Sequence, residues 1–183
     1  VPLQYDAICD FVHERAVVSL NRKSGLIDTA GNIVVDYKYE DISGLDLKCD
    51  LVVVQSEGKW GALDMNGKEI LPCIYDYISP TDRLRWKDSS GIYLRIELNG
   101  KMGLFDINGK QLTPIEFDKV EVAYGYIIAK KEDACAMFDM DMNMILPFLY
   151  SNIVPLPDQE VMYVYYGEYK GCVNFSSTKI IPG

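Results

Sequence analysis

The sequence is poor in the residues that chemistry usually depends on. Among 183 residues there is one histidine, His13, and there are two tryptophans. A Cys or Ser nucleophile would find only that imidazole as a base titrating near neutrality, so a non-catalytic protein is expected and no catalytic residue is assigned. The five cysteines, Cys9, Cys49, Cys73, Cys135 and Cys172, form no CxxC pair and are odd in number. Their spacing indicates neither a zinc knuckle nor a complete disulfide framework, and no metal or cofactor is expected. Reduced, largely buried thiols are the simpler expectation, and they favour a cytoplasmic setting. No apolar run approaches the roughly 18 residues that cross a bilayer, and the stretch from Val1 to Cys9 lacks the basic and apolar regions of a secretion signal. Membrane insertion is therefore not expected. Cations are in deficit, 18 Lys and Arg against 27 Asp and Glu, for a net charge of -9. Such a surface repels phosphate backbones, which argues against nucleic acid as a partner.

Helical periodicity is missing too. Apolar positions alternate or run in fours, with β-branched and aromatic residues over-used, including 13 tyrosines. At 49% hydrophobic and 25% charged, the chain has the composition of a globular protein with a packed core. What it has in abundance is repetition. The segment from Lys23, KSGLIDTAGNIVVDYKYEDI, returns as KWGALDMNGKEILPCIYDYI from Lys59 and KMGLFDINGKQLTPIEFDKV from Lys101. Two decayed copies follow, ACAMFDMDMNMILPFLYSNI from Ala134 and YKGCVNFSSTKIIPG from Tyr169. The aspartate falls at Asp28, Asp64, Asp106 and Asp139, with Asn174 in its place in the last copy, so the spacings are 36, 42, 33 and 35 residues. The proline keeps the same register at Pro2, Pro72, Pro114, Pro147 and Pro182, with Asp36 substituting once.

The repeated residues carry turn chemistry. In Asp64-Met65-Asn66-Gly67 and Asp106-Ile107-Asn108-Gly109 the aspartate can accept backbone N–H bonds while the glycine supplies a left-handed conformation. Glu57-Gly58 and Asn99-Gly100 signal a second hairpin, so each unit is expected to be a small antiparallel β-meander closed by a short strand such as Tyr75 to Ile78. A unit this small cannot bury its apolar face alone, and neighbours must share a core.

The pattern K-W-G-x-x-D, then a turn glycine, then I-P-x-x-Y-D-x-I, resembles the WG-repeat family of bacterial proteins; Lys59-Trp60-Gly61-Ala62-Leu63-Asp64 carries it most fully. Gly25, Gly61 and Gly103, the turn glycines Gly31, Gly67 and Gly109, and Tyr39, Tyr75 and Phe117 all fall in place. Ala136, Met142 and Ser177 replace glycines, and Ser24, Met102, Cys135 and Lys170 stand where Trp60 stands. The resemblance implies a binding scaffold without known catalytic residues.

The units are expected at roughly 13–46, 47–80, 81–122, 123–157 and 158–183, with a partial unit over 1–12. The fold class is all-β: tandem repeats of about 36 residues stacked as an open or partly closed solenoid, or alternatively closed as a five-module propeller-like toroid. The ends are complementary, because the segment from Val1 to Ile8 matches a second half-unit and could complete the fifth. A start inside a unit favours a piece of a longer array.

Function is expected where the copies differ. The longest unit gains 81–90, in which Arg83, Arg85, Trp86 and Lys87 form a cationic, aromatic island on an acidic chain, the composition of an interface hot spot. In the run from Val161 to Tyr169, alternation puts Tyr163 and Tyr165 on one face and Met162, Val164 and Tyr166 on the other. One face is core, and the remaining tyrosines either stack on a ligand or shield an edge strand. Asp139-Met140-Asp141-Met142-Asn143 opens like a calcium loop, but Met144 and Tyr150 occupy the positions that need Gly and a bidentate Glu. The expected activity is protein–protein interaction, with a basic protein as one fitting partner; carbohydrate binding through exposed tyrosines is the alternative. A hydrolase built on paired carboxylates has no spacing to single out its pair.

Overall fold

Two-residue turns set the architecture. Glu57 and Gly58 have φ of 52° and 71°, and Asn99 and Gly100 have φ of 54° and 72°. Paired positive φ values belong to the hairpin turn whose twist matches that of its flanking strands. The computed structural model describes residues 5–46, 50–81, 91–156, 161–174 and 180–182. Its described residues form five antiparallel sheets and no helix, as the all-β repeat expectation holds.

The first sheet contains β1 (Ala7–Ile8), β2 (Arg15–Leu20), β3 (Lys23–Asp28) and β4 (Ile33–Tyr39). The second contains β5 (Asp41–Asp46), β6 (Leu51–Ser56), β7 (Lys59–Asp64) and β8 (Glu69–Tyr75), and the third β9 (Tyr77–Pro80), β10 (Tyr93–Leu98) and β11 (Lys101–Asp106). The fourth contains β12 (Lys119–Ala123), β13 (Tyr126–Lys131), β14 (Ala134–Asp139) and β15 (Met144–Tyr150). The fifth contains β16 (Asn152–Leu156), β17 (Val161–Tyr166), β18 (Tyr169–Asn174) and β19 (Ile180–Pro182). Within each sheet the strands follow chain order. The short strand after each aromatic-acid pair opens the next sheet instead of closing its own: β9 pairs with β10, and β16 pairs with β17 through Asn152 opposite Tyr165. Likewise the N-terminal β1 pairs with β2, Ala7 opposite Ser19, and so serves the first sheet.

The conserved spacing of Gly and Pro within the copies has one geometric cause. Trp60 pairs with Tyr75 and Ala62 with Leu71, so Pro72, Cys73 and Ile74 arch out opposite Gly61 alone. A proline fits in that arch because no ladder N–H is required there. The arch passes so close that a Cβ on Gly61 would lie 2.7 Å from the Leu71 carbonyl oxygen and 2.9 Å from the Cys73 nitrogen. The same register shift recurs in the first sheet, between Ser24↔Tyr39 and Leu26↔Val35. It recurs again in the fourth, between Cys135↔Tyr150 and Met137↔Leu146, where the glycine's place is taken by Ala136, fully buried. In the third sheet the fourth strand shrinks to bridges at Met102↔Phe117 and Phe105↔Gln111. There the buried Thr113 hydroxyl accepts the Leu104 N–H at 2.9 Å in its stead.

Two compact units divide the chain, Val1–Ile78 with Ile107–Gly109, and Ser79–Asp106 with Lys110–Gly183. In the first unit, Leu26, Val35 and Tyr39 of the first sheet share a core with Ile42, Val52, Val54 and Leu63 of the second. In the second unit the fourth sheet is covered on both sides. Val120, Ile127, Ala129 and Phe138 pack with Leu104 and Phe117, while Ile128, Met137 and Leu146 pack with Ile153, Met162 and Val164. Strands buried on both faces explain the apolar runs of four, such as Leu51 to Val54, and strands with one wet face explain the alternation of β17.

Gly67 joins the two sheets of the first unit: its φ is 84°, and an added Cβ would lie 2.9 Å from the Val34 carbonyl oxygen. Gly58 has φ of 71° with nothing within 4 Å. Gly67→Ala is therefore expected to lose about 2–4 kcal/mol and Gly58→Ala about 1 kcal/mol in urea unfolding, the difference reporting the close approach. Equal losses would remove that contact from the account.

Candidate functional site

A repeated side-chain clasp must be separated from the residues left for function. The lysine that begins each K-x-G motif reaches the acid after the aromatic of the same copy: Lys59 pairs with Asp76, Lys101 Nζ lies 2.5 Å from Asp118 Oδ1, and Lys23 Nζ lies 4.0 Å from Glu40 Oε1. The acid also accepts a backbone N–H from the hairpin of the following sheet, Gly58 to Glu40 Oε2 at 3.0 Å and Glu132 to Asp118 Oδ2 at 2.5 Å. The Lys101 hydrogen bond and the Glu132 N–H hold the Asp118 carboxyl below the usual aspartate range. The fourth copy has Ala134 and Ser151 at these two places, so this clasp is not formed there. Ser151 keeps the backbone bond that Glu40 and Asp118 make at this place, its N–H on the Tyr165 carbonyl at 2.8 Å, and adds a hydroxyl bond to the same carbonyl at 3.2 Å.

The repeated aspartates are turn caps. Asp64 Oδ1 accepts the N–H groups of Asn66 and Lys68 at 2.8 and 2.9 Å. Asp139, which would open the calcium-like loop, accepts N–H groups from Asp141 and Asn143 at 3.0 and 2.8 Å, and the Asn143 side-chain amide at 2.8 Å. Those bonds, the Asn143 side chain first, keep its carboxyl pKa low. The turn survives the loss of its glycine because Met142 itself takes φ of 66°, and its N–H still reaches the Asp139 carbonyl at 3.1 Å.

Of the side chains singled out by sequence, Arg83, Arg85, Trp86 and Lys87 lie outside the described residues. The base of their insertion is closed by the Thr81 N–H on the Tyr93 carbonyl at 2.7 Å and the Tyr93 N–H on the Thr81 hydroxyl at 3.0 Å. Tyr163 and Tyr165 occupy β17, half-buried on its wetter face, while Met162 and Val164 point into the core. Lys170 Nζ lies 3.4 Å from the centroid of the Tyr163 ring, a cation–π contact across the β17–β18 hairpin. Period-two alternation puts Tyr166 on the face of the buried Met162 and Val164, yet at the hairpin end of β17 it is 58% exposed, and its cross-strand partner Tyr169 is 79% exposed. His13 sits in an exposed turn with Nδ1 3.1 Å from Asp50 Oδ1.

Sequence reasoning passed over a cleft of about 250 Å³ in the second unit. Its apolar lining is Cys135, Ile128 and Ile153, all three buried. Lys119, Lys130 and Cys135 stand side by side across β12, β13 and β14. Glu121, whose carboxylate is 2.9 Å from Lys119 Nζ, and the exposed Ser151 and Asn152 complete the rim. Burial pushes the Cys135 thiol pKa up, against the pull of Lys130 and Lys119, so the sulfur is a neutral surface and not a thiolate at neutral pH. The available signal was a cysteine at the tryptophan position with lysines two strands wide beside it, and only the pairing register brings these together.

The family model described as WG containing repeat matches residues 25–60, 60–82 and 102–133. The two copies beyond residue 133 lie outside those matches yet fold as sheets of the same strand order. The comparison with curated proteins returns no match. Among solved structures, Kluyveromyces lactis Hsv2 with its loop 6CD replaced by a Gly-Ser linker is similar over 91% of this chain and 61% of that chain, at 10% identity and a TM-score of 0.44. A eukaryotic initiation factor is similar over 98% and 67% at 8% identity and a TM-score of 0.41. Dihydro-heme d1 dehydrogenase NirN, in complex with DHE, is similar over 97% and 47% at 13% identity and a TM-score of 0.41. The chain spans about three fifths of the length of the Hsv2 chains it matches.

The clasp predicts a pH dependence. Because the folded pKa of Asp118 is depressed, its contribution to stability is complete above the unfolded value of about 4 and disappears as pH falls through the lower folded value. Thermal melts of wild type and Asp118→Asn are expected to differ most above about pH 5 and to converge towards pH 2. A difference that stays constant over this range would show that the carboxylate charge is not what the clasp uses.

Proposed function

The chain belongs to the WG-repeat family, and from that premise we propose that it is a non-catalytic β-repeat scaffold that binds a protein partner. The carrying observation is the aromatic surface of the fifth sheet, where Tyr166 and Tyr169 are exposed at a hairpin tip beside the half-buried Tyr163 and Tyr165. Rings with a polar tip, presented on a rigid strand, give large contact area at small entropic cost and are enriched in binding hot spots. The residues that recur from copy to copy, including the lysine and acid that the fourth copy lacks, already have structural work in the clasp, the arch and the turn caps. Copy-specific residues are what remains for recognition, and they concentrate in 81–90 and on β17 and β18.

The net charge of -9 favours a basic partner whose association slows as salt screens the attraction. Carbohydrate binding is the second reading, supported by the same exposed rings, which offer flat apolar faces for a sugar to stack on.

The test is affinity capture from the source cell with three forms: wild type, Tyr166→Ser/Tyr169→Ser, and Arg83→Ala/Arg85→Ala/Trp86→Ala. The expected outcome is one basic protein retained by wild type, lost at least about tenfold by the tyrosine variant and bound more weakly at high salt, with unchanged melting. Retention of the same partner by both variants would remove both surfaces from the proposal. A glycan-array signal in place of a protein, lost in the tyrosine variant, would favour the second reading.

A further inference from the structure

The five copies place Ser24, Trp60, Met102, Cys135 and Lys170 at one position, between a cross-strand neighbour on the preceding strand and, in the first four copies, an aromatic on the following one. Around Trp60 these neighbours are Gln55 and Tyr75; around Cys135 they are Lys130 and Tyr150. The fourth copy thus replaces the family's largest side chain with a small one, and the cleft of about 250 Å³ lies over it. Its volume is below the roughly 300–1,000 Å³ of pockets for drug-sized ligands, which fits a single flat ring system with one substituent. Ile128, Ile153 and the neutral thiol give apolar surface for a ring, and Lys119 and Lys130 stand adjacent at the rim.

We infer that the cleft between the fourth and fifth sheets binds a small aromatic carboxylate, its ring lying over Cys135 where the second copy has tryptophan and its acid group meeting Lys119 and Lys130. Glu121 beside Lys119 leaves the rim with about one net positive charge, which matches a monocarboxylate and disfavours a doubly charged phosphate. Ser151 and Asn152 add hydrogen-bonding groups at the open side. The site lies in one unit and is separate from the tyrosine tip, so it stands whether or not the scaffold reading does.

The experiment is calorimetric titration of the full 183-residue chain with indole-3-acetate and phenylacetate as probes, indole-3-acetamide as the uncharged control and inorganic phosphate as the competitor. The acids are expected to bind with a Kd of about 1 mM or tighter, and the amide about tenfold more weakly. Cys135→Trp refills the cleft and should abolish binding without lowering the melting temperature. Lys130→Gln should weaken the acids about tenfold and leave the amide unchanged, and it carries the test if the tryptophan variant misfolds. The inference is overturned if neither acid binds at about 10 mM, if acid and amide bind alike, if folded Cys135→Trp binds as wild type does, or if phosphate displaces the acids at equal concentration.

Discussion

Everything in this molecule depends on a sheet of four short strands having two apolar faces and the means to cover neither. Val52 and Val54 of the second sheet are fully buried because Leu26 and Val35 of the first lie against them, and Ile127 and Phe138 are buried against Leu104 and Phe117. No sheet is a folding unit by itself, so each copy has to carry both its own ladder and a device for attachment to the next. The lysine–acid clasp is that device. Its acid holds a lysine of its own sheet and a backbone N–H of the following hairpin, which fixes the spacing between sheets while apolar burial supplies most of the stabilisation.

Seen through that constraint, the decay of the last two copies is orderly. The fourth copy loses the lysine and the acid, at Ala134 and Ser151, yet remains covered on both faces by aromatic and aliphatic side chains. Phe117, Phe138 and Phe148 pack ring to ring at centroid separations of 6.0 to 6.4 Å, contacts that add to the area they bury. With burial this extensive, a solvent-facing ion pair is dispensable, since exposed pairs contribute little. Met142 tells the same story at the backbone: a side chain in the left-handed region costs about 1 kcal/mol, and the cap from Asp139 and packing against the neighbouring aromatic cluster hold it there.

Turns and period were legible in the sequence because they are local. Asp64 and Gly67 show their geometry within four residues, and the proline spacing announces the unit length independently. The phase of the sheets was not legible. Nothing in the short strand at Tyr77 says whether it pairs backwards with its own copy or forwards with the next, because its alternation suits either neighbour, and only the pairing of β9 with β10 settles it. The exposure of Tyr166 was not legible either: period-two alternation gives it the face of the buried Met162 and Val164, and its place at the hairpin end of β17 leaves it exposed all the same. The cleft over Cys135 required both missing facts at once, the register that aligns Lys119, Lys130 and Cys135 and the fifth sheet that walls them with Ile153.

The position of Trp60 is where these copies differ while the fold stays the same. It lies beside the glycine under the arch, and its backbone is fixed from both sides by ladder bonds, so its side chain can vary in size and charge at little cost to the sheet. Serine, tryptophan, methionine, cysteine and lysine occupy it in turn along one chain. In the fourth copy the small Cys135 lines a cleft, and in the fifth the basic Lys170 reaches across to the Tyr163 ring. Copies that share their strand order thus differ in the side chain each presents at this one position.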